Sequence, residues 1–151
     1  MANTQAMTTS FKGELLTAKH NFGTAPVRAS STADTFKAAL YLTSATVNAS
    51  TTAYSSTGEV TGTNYTAGGV AVTNATPPAT SGTTAYWTPS ASIVYTNVTL
   101  STAFDAVLIY NSTQSNKAVS VHTFGSQTVT AGTFTLTMPT NDASTGLIRL
   151  A

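Results

Sequence analysis

Hydrophobic and polar positions alternate with a period of two along several short stretches of the chain. In Phe36–Leu42 the apolar residues Phe36, Ala38, Leu40 and Leu42 share one face while Lys37 lies on the other. Val119–Thr123 and Phe134–Met138 alternate in the same way. Alternation over four to eight residues is typical of a strand with one buried face. The pattern therefore predicts β-strands at these three places.

A continuous apolar run at Ala106–Tyr110 is bounded by Asp105 and Asn111. An unbroken run of this length is typical of a central strand that is buried on both faces. Shorter candidate strands, separated by Gly, Pro, Ser and Asn turn signals, are Val70–Thr73, Thr84–Trp87, Ile93–Tyr95 and Leu147–Leu150. Further short extended stretches are predicted at Glu59–Thr61 and at Thr128–Val129, the latter ending in a turn at Gly132.

The amino-terminal region differs from the rest of the chain. Residues 1–8 are small and polar and are predicted to form a free arm. Hydroxyl side chains at Thr8-Thr9-Ser10 can cap a helix, and Phe11 and Leu15 then share one helical face, so a short helix is predicted near residues 9–18. The expected fold is mainly β, with residues 9–151 forming a single-domain antiparallel β-sandwich or jelly-roll-like domain that carries this one short helix.

Charge is scarce in the 151-residue chain, because only 7% of its residues are charged and the formal net charge is +1. An ordinary soluble domain has about 25% charged residues. The six Lys and Arg residues are dispersed, whereas binding to a phosphate backbone requires clustered cations. We therefore expect no direct contact with nucleic acid. No apolar run approaches the roughly 20 residues of a membrane helix, so no membrane contact is expected, and the start of the chain does not resemble a signal peptide.

No Asp, Glu, Lys or Arg lies between Val60 and Phe104. A segment this long without charge is expected to be buried or covered by partners. Its aromatic residues either fill the core or form a contact surface for proteins or glycans, with Trp87 as the best contact anchor. The protein-contact candidates are Trp87, Tyr86, Tyr65 and Tyr95. Glu59, the only anion between Asp34 and Asp105, is expected either to pair with a cation such as Lys37 or to cap a turn.

Candidate catalytic chemistry is sparse. The chain has no Cys, two His and five Asp plus Glu residues, and it contains neither a Gly-x-Ser-x-Gly elbow nor a phosphate-binding loop. A metal site would require His20 and His122 to meet near a carboxylate; the simpler interpretation is a polar helix end for His20 and an outward-facing strand residue for His122. We therefore expect no catalytic residue, no metal and no cofactor, and we expect that the protein is not an enzyme.

Several motifs follow one another in a characteristic order. They are Phe11-Lys12-Gly13-Glu14-Leu15-Leu16 with His20 and Phe22, Asp34-Thr35-Phe36-Lys37-Ala38-Ala39-Leu40-Tyr41, Thr52-Ala53-Tyr54-Ser55, Gly58-Glu59-Val60, Tyr65-Thr66-Ala67-Gly68-Gly69, Ile109-Tyr110-Asn111-Ser112-Thr113, Phe124-Gly125 and Thr130-Ala131-Gly132-Thr133-Phe134. In this combination the chain resembles a family of small structural virion proteins of tailed bacteriophages. The resemblance covers most of the chain from Phe11 onward and supplies no catalytic residue.

The resemblance implies a structural role in a virion that is assembled in the cytoplasm of the host bacterium. Two positions are open: a capsid decoration (cement) protein that bridges shell subunits, which we favour, or a neck or tail adaptor or fibre-base protein. The expected partners are the major capsid protein or other virion proteins, together with further copies of this chain, in a homotrimer of the kind common among decoration proteins. A third hypothesis, of another class, is a carbohydrate-binding module for the host surface that uses Tyr86 and Trp87.

Overall fold

A computed structural model describes residues 3–8, 10, 11, 15, 19, 20, 22 and 33–150 of the chain. Within these residues lie eight strands: β1 (Ala6–Met7), β2 (Phe36–Leu42), β3 (Val70–Val72), β4 (Ala79–Ser81), β5 (Thr84–Trp87), β6 (Ile93–Asn111), β7 (Lys117–Leu136) and β8 (Ile148–Leu150). They form an antiparallel five-stranded sheet in the order β1-β7-β6-β2-β3 and an antiparallel three-stranded sheet in the order β4-β5-β8. The prediction of a single, mainly β, sandwich-like domain is confirmed.

The strands β6 and β7 are far longer than the sequence pattern predicts. Ile93–Tyr95 and Ala106–Tyr110 belong to one strand of 19 residues, and Val119–Thr123 and Phe134–Leu136 to one strand of 20. Their pairing continues through several register shifts, with positive φ at Asn97 (52°) and at Ala131 (45°). These β-bulges reverse the inside–outside alternation without ending the strand, so the turn predicted at Gly132 is wrong.

The large sheet is buried on both of its faces around the carboxyl-terminal half of β6. Val107 and Ile109 pack with Phe36, Trp87 and other residues of the main core, whereas Ala106 and Leu108 pack on the opposite face with Tyr41 and Val47. The doubly buried central strand predicted at Ala106–Tyr110 is therefore present. Trp87 and Ile148 of the small sheet join the main core, so the two sheets share it.

The described part of the amino-terminal arm is attached to the chain's own large sheet. Ala6 and Met7 pair with Val121 and Ser120 of β7, and the Thr4 N–H donates to the Val47 carbonyl oxygen at 3.2 Å. The prediction of a free arm is therefore wrong for residues 3–8, because β7 offers them an open strand edge. Ser10, Phe11 and Leu15 have helical backbone, while the rest of the helix predicted near residues 9–18 lies outside the described residues.

Gly69 allows the turn before β3 to approach β2 closely. Its φ is +71°, and a Cβ atom on it would lie 1.7 Å from the carbonyl oxygen of Ala38. Only glycine satisfies both conditions at once, since a positive φ disfavours other residues and a side chain here would collide with backbone.

We expect Leu108→Ala and Ile109→Ala to lower the free energy of unfolding by about 2–5 kcal/mol each, because both side chains are fully buried. Thr102→Ala, at an exposed position of the same strand, is the control and should change it by less than about 0.5 kcal/mol. Denaturant unfolding measures all three. Wild-type stability in both core variants would contradict the burial of this strand.

Gly69→Ala and Gly82→Ala separate steric collision from backbone strain. Both glycines have positive φ, but a Cβ at Gly82 would meet nothing within 4 Å. We expect Gly82→Ala to cost about 1 kcal/mol of stability and Gly69→Ala to cost several times more or to prevent folding. Thermal melts of the two variants give the comparison, and equal melting temperatures would show that the turn relaxes around a methyl group.

Candidate contact surfaces

Two of the four aromatic contact candidates fill the core. Trp87 is 2% exposed, its indole N–H donates to the carbonyl oxygen of Thr76 at 3.0 Å, and its ring centroid lies 4.7 Å from that of Phe22. Tyr95 is 1% exposed, and its hydroxyl donates to the carbonyl oxygen of Ala38 at 2.8 Å. Core filling is therefore the role of both rings, and Trp87 offers no anchor at the surface of the single chain.

The other two candidates are half-buried and lie in different places. Tyr65 stacks on Tyr95 with ring centroids 5.9 Å apart and points its hydroxyl into a polar cluster. Tyr86, on β5, lies opposite Arg149 of β8 in the strand register of the small sheet. The four aromatic residues thus do not combine into one exposed platform.

The carboxylate of Glu59 is buried and is held by three donors. Its Oε1 accepts hydrogen bonds from the Tyr65 hydroxyl at 2.7 Å and the Gly68 N–H at 2.8 Å, and its Oε2 accepts one from the Tyr54 hydroxyl at 2.6 Å. Two roles were expected for Glu59, and turn capping is the one observed. The donors to its carboxylate come from the neighbouring turn segments and not from Lys37. We call Glu59, Tyr54, Tyr65 and Gly68 the carboxylate cluster.

The carboxylate cluster fastens residues 53–69 to β2. The Tyr65 hydroxyl also accepts the N–H of Leu40 at 3.0 Å, and the Val60 N–H donates to the Leu40 carbonyl oxygen at 3.0 Å. Desolvation and the hydrogen bond to Glu59 raise the pKa values of Tyr54 and Tyr65. These phenols therefore stay protonated and remain donors well above neutral pH.

A second buried polar group surrounds Asn111 at the end of β6. Its Oδ1 accepts the N–H groups of Thr113 and Gln114 at 3.1 Å each, which fixes the orientation of the amide. The Nδ2 group then faces Asp34 Oδ2 at 2.8 Å and His20 Nδ1 at 3.0 Å. Since an amide N–H donates, the neutral His20 ring accepts at Nδ1 and carries its proton on Nε2.

The two histidines hold separate structural positions. His122 is half-buried on β7, and its Nε2 lies 2.9 Å from the Ser120 hydroxyl, whereas His20 packs against Phe11 with ring centroids 4.7 Å apart. Among the residues that the structure describes, no three His, Asp or Glu side chains come close enough together to hold a metal ion. Desolvation lowers the pKa of His122 to about 4, so the imidazole is neutral at pH 7.

A largely apolar pocket of about 110 Å³ lies beside the small sheet. It is lined by Phe11, Leu15, Phe22, Pro78, Ala85, Tyr86, Trp87, Ile148 and Leu150. Sugar sites combine an aromatic platform with several polar groups that fix orientation. The small volume and apolar lining of this pocket do not provide that combination.

The outer half of the β6–β7 hairpin exposes one of its two faces. We call the paired segments Ile93–Leu100 and Val129–Leu136 the ribbon. Its inner face is buried through Ile93, Tyr95, Val98 and Leu100, whereas its outer face exposes Val94, Thr96, Thr133 and Thr135. The alternation predicted at Phe134–Met138 agrees with the exposure of Thr135, whereas Ile93–Leu100 was marked in the sequence only as a short strand at Ile93–Tyr95 and as free of charge.

Comparison with protein-family models, with curated proteins and with solved structures finds no match to this chain. In the part of the chain that the structure covers, none of the helices has the length and apolarity required to cross a membrane.

Tyr65→Phe and Tyr54→Phe test the carboxylate cluster while keeping both aromatic rings. Tyr65→Phe removes a donor to Glu59 and also leaves the Leu40 N–H without its acceptor, so we expect a loss of about 1–3 kcal/mol in the free energy of unfolding. Tyr54→Phe removes one donor and should cost no more than about 1 kcal/mol. Denaturant titration measures both, and an equal cost would mean that the Leu40 contact contributes nothing.

The lowered pKa of His122 predicts a loss of stability in acid. The unfolded chain takes up a proton at this residue near its ordinary pKa of about 6.5, whereas the folded chain takes it up near 4. Between these values the unfolded state binds more protons, so stability is complete above pH 6.5 and falls as the pH drops toward 4, by at most about 1.4 kcal/mol per pH unit. His122→Gln, which retains His20, should flatten the profile of unfolding free energy against pH, and parallel profiles for the two proteins would contradict the assignment.

Proposed function

We propose that the protein is a structural component of a tailed-phage virion, a capsid decoration protein that stabilises the head by bridging shell subunits. The observation that carries the proposal is the exposed, uncharged ribbon: its outer face presents Val94 and threonine hydroxyl groups to solvent, while its inner face is buried in the core. The resemblance to small virion proteins supports the proposal that this surface is used in a phage particle.

The composition of the surface supports contact with protein. No Asp, Glu, Lys or Arg occurs between Val60 and Phe104 or between Ala118 and Asn141. Surfaces of this kind desolvate at lower cost than charged ones and repel their neighbours weakly. The polar clusters in the described residues are engaged in structural hydrogen bonds around Glu59 and Asn111. A structural role is consistent with both observations.

Two alternatives differ from decoration in what they require. A host-surface carbohydrate module would require an exposed aromatic platform, and the burial of Trp87 argues against it. A neck or tail adaptor would use the same kind of surface as a decoration protein but would occupy one ring of the particle. Copy number therefore separates the neck or tail position from the decoration position.

The test is made on purified particles of the phage that encodes this chain. A decoration protein should be present in numbers comparable with the major capsid protein on a stained gel, and the isolated chain should bind shells from which it has been removed. A band whose intensity corresponds to the copy number of a single ring, in a protein that copurifies with isolated tails, would assign the protein to the neck or tail. Absence from the particles would overturn the virion proposal, and glycan binding by the isolated domain would favour the carbohydrate module.

The proposed assembly is a homotrimer, with the three-fold order taken from decoration proteins as a class. Sedimentation equilibrium of the isolated protein should give three times the mass of the 15.4 kDa chain. A mass corresponding to two chains would change the symmetry, and a mass corresponding to one chain at all concentrations would overturn self-assembly before docking.

A further inference from the structure

The amino-terminal arm, residues 3–8, is held at its two ends and only lightly in between. At the end that joins the domain, Thr8 is fully buried and hydrogen-bonds to β7, and Phe11 just beyond it lies in the main core. In the middle, Thr4 and Gln5 are exposed, and strand β1 contains only two residues. The position of the outer end of the arm therefore depends on the contacts that are made there.

Asn3 joins the outer end of the arm to three places on the domain. Its Nδ2 group donates to the Asp105 carboxylate at 2.6 Å and to the Leu42 carbonyl oxygen at 3.0 Å, while its Oδ1 accepts the Val47 N–H at 3.1 Å. Both hydrogens of the amide are used, and the bond to Asp105 is of the stronger, charge-assisted kind. Asn3 therefore fastens the arm to β6, to the end of β2 and to the loop that follows β2.

The closed arm covers part of the edge of β7. Ala6 and Met7 pair with Val121 and Ser120, and β1 is the only one of the described strands that lies on this edge. An uncovered edge presents unpaired N–H and C=O groups that can pair with another strand, so proteins usually cover such edges. An open arm would lengthen the unpaired edge of β7 by these residues, and the closed arm protects them.

The arm can open without the unfolding of either core. Its residues 3–7 are half-buried or exposed, and Thr8 is the only fully buried residue of the arm. A segment with few buried contacts opens locally at a much lower free energy than the core strands do. The balance between the closed and the open arm therefore depends on a small number of hydrogen bonds, of which Asn3 makes three.

We propose that the amino-terminal arm is a strap that opens and closes on the domain, with Asn3 as the clasp that keeps it closed over the edge of β7. Asn3 is a positioning residue in this role, because it acts through the placement of β1. The inference goes beyond the virion proposal and does not rest on it, since every contact involved lies within one chain.

Asn3→Asp in the full chain tests the clasp. The new side chain has nearly the same shape but no amide hydrogens, and its carboxylate faces the Asp105 carboxylate and the Leu42 carbonyl oxygen, which repel it. The N–H of Val47 donates to Asn3, so its exchange with solvent deuterium reports the opening of the arm. At neutral pH we expect this N–H to exchange at least about tenfold faster than in the wild type.

The Val60 N–H is the internal reference for the hydrogen-exchange measurement, which is made by NMR. It donates to the Leu40 carbonyl oxygen, away from the arm, and should exchange at the wild-type rate. Should Asn3→Asp fail to fold, Asn3→Ala removes the same donors without adding a charge. Its arm is followed at the N–H of Thr4, which donates to the Val47 carbonyl oxygen and should also exchange faster.

Two matched variants separate the clasp from a general effect of charge. Gln5→Glu adds the same charge at an exposed position of the arm and keeps the oxygen that accepts the Thr123 N–H, so it should leave the exchange of Val47 unchanged. Asn3→Asp combined with Asp105→Asn exchanges the donor and the acceptor across the same 2.6 Å contact. Because the new amide at position 105 can donate to the new carboxylate, this double variant should recover part of the protection.

Each outcome decides the proposal. Faster exchange at Val47 alone, partly reversed in the double variant, supports a strap with Asn3 as its clasp. Wild-type exchange at Val47 in Asn3→Asp overturns the clasp, and so does faster exchange that the double variant leaves unchanged. Equal acceleration at Val47 and Val60 shows that the arm opens only when the whole domain unfolds, and this result overturns the strap.

Discussion

The pairing of β6 with β7 is the interaction on which the rest of the structure depends. It begins beside the turn at Asn111 and Lys117 and continues through several bulges to Ile93 and Leu136. One half of this hairpin is enclosed, because β2 and β1 pair with its edges and a core lies on each face. The other half keeps only its inner face buried. A single hairpin therefore supplies both the centre of the domain and an exposed face.

Buried polar groups attach the loops to this framework. The carboxylate cluster joins residues 53–69 to β2, and Asn111 joins His20 and Asp34 to the end of β6. Each group is satisfied by several hydrogen bonds of fixed direction, and such satisfaction makes a buried polar network specific rather than destabilising. These groups thus give irregular segments defined positions, and their hydrogen-bonding capacity is used within the chain.

The parts of the fold that follow from local pattern could be predicted, and those that depend on distant partners could not. Period-two alternation located Phe36–Leu42, and the apolar run located the doubly buried part of β6. The bulges near Asn97 and Ala131 reverse the alternation, so the pattern divided two long strands into shorter ones. The partners of Glu59 lie within the same irregular segment, and the contact of His20 with Asn111 joins residues remote in sequence. Neither arrangement has a periodic signal. Trp87 and Tyr95 were ambiguous because burial and contact select the same aromatic residues.

In the sequence the ribbon was visible as two separate short strands, at Ile93–Tyr95 and Phe134–Met138, and as missing charge. Burial explains missing charge in the same way as partner contact does, so composition alone could not separate the two explanations. The structure separates buried from exposed residues on the same strand: Tyr95 and Val98 face the core, whereas Val94 and Thr96 face solvent. An exposed face that lacks charge has lost the usual protection against association with its own kind. A face without charge sets no electrostatic barrier to contact with another protein surface, and the structural role proposed for this chain in a particle of many subunits requires such a face.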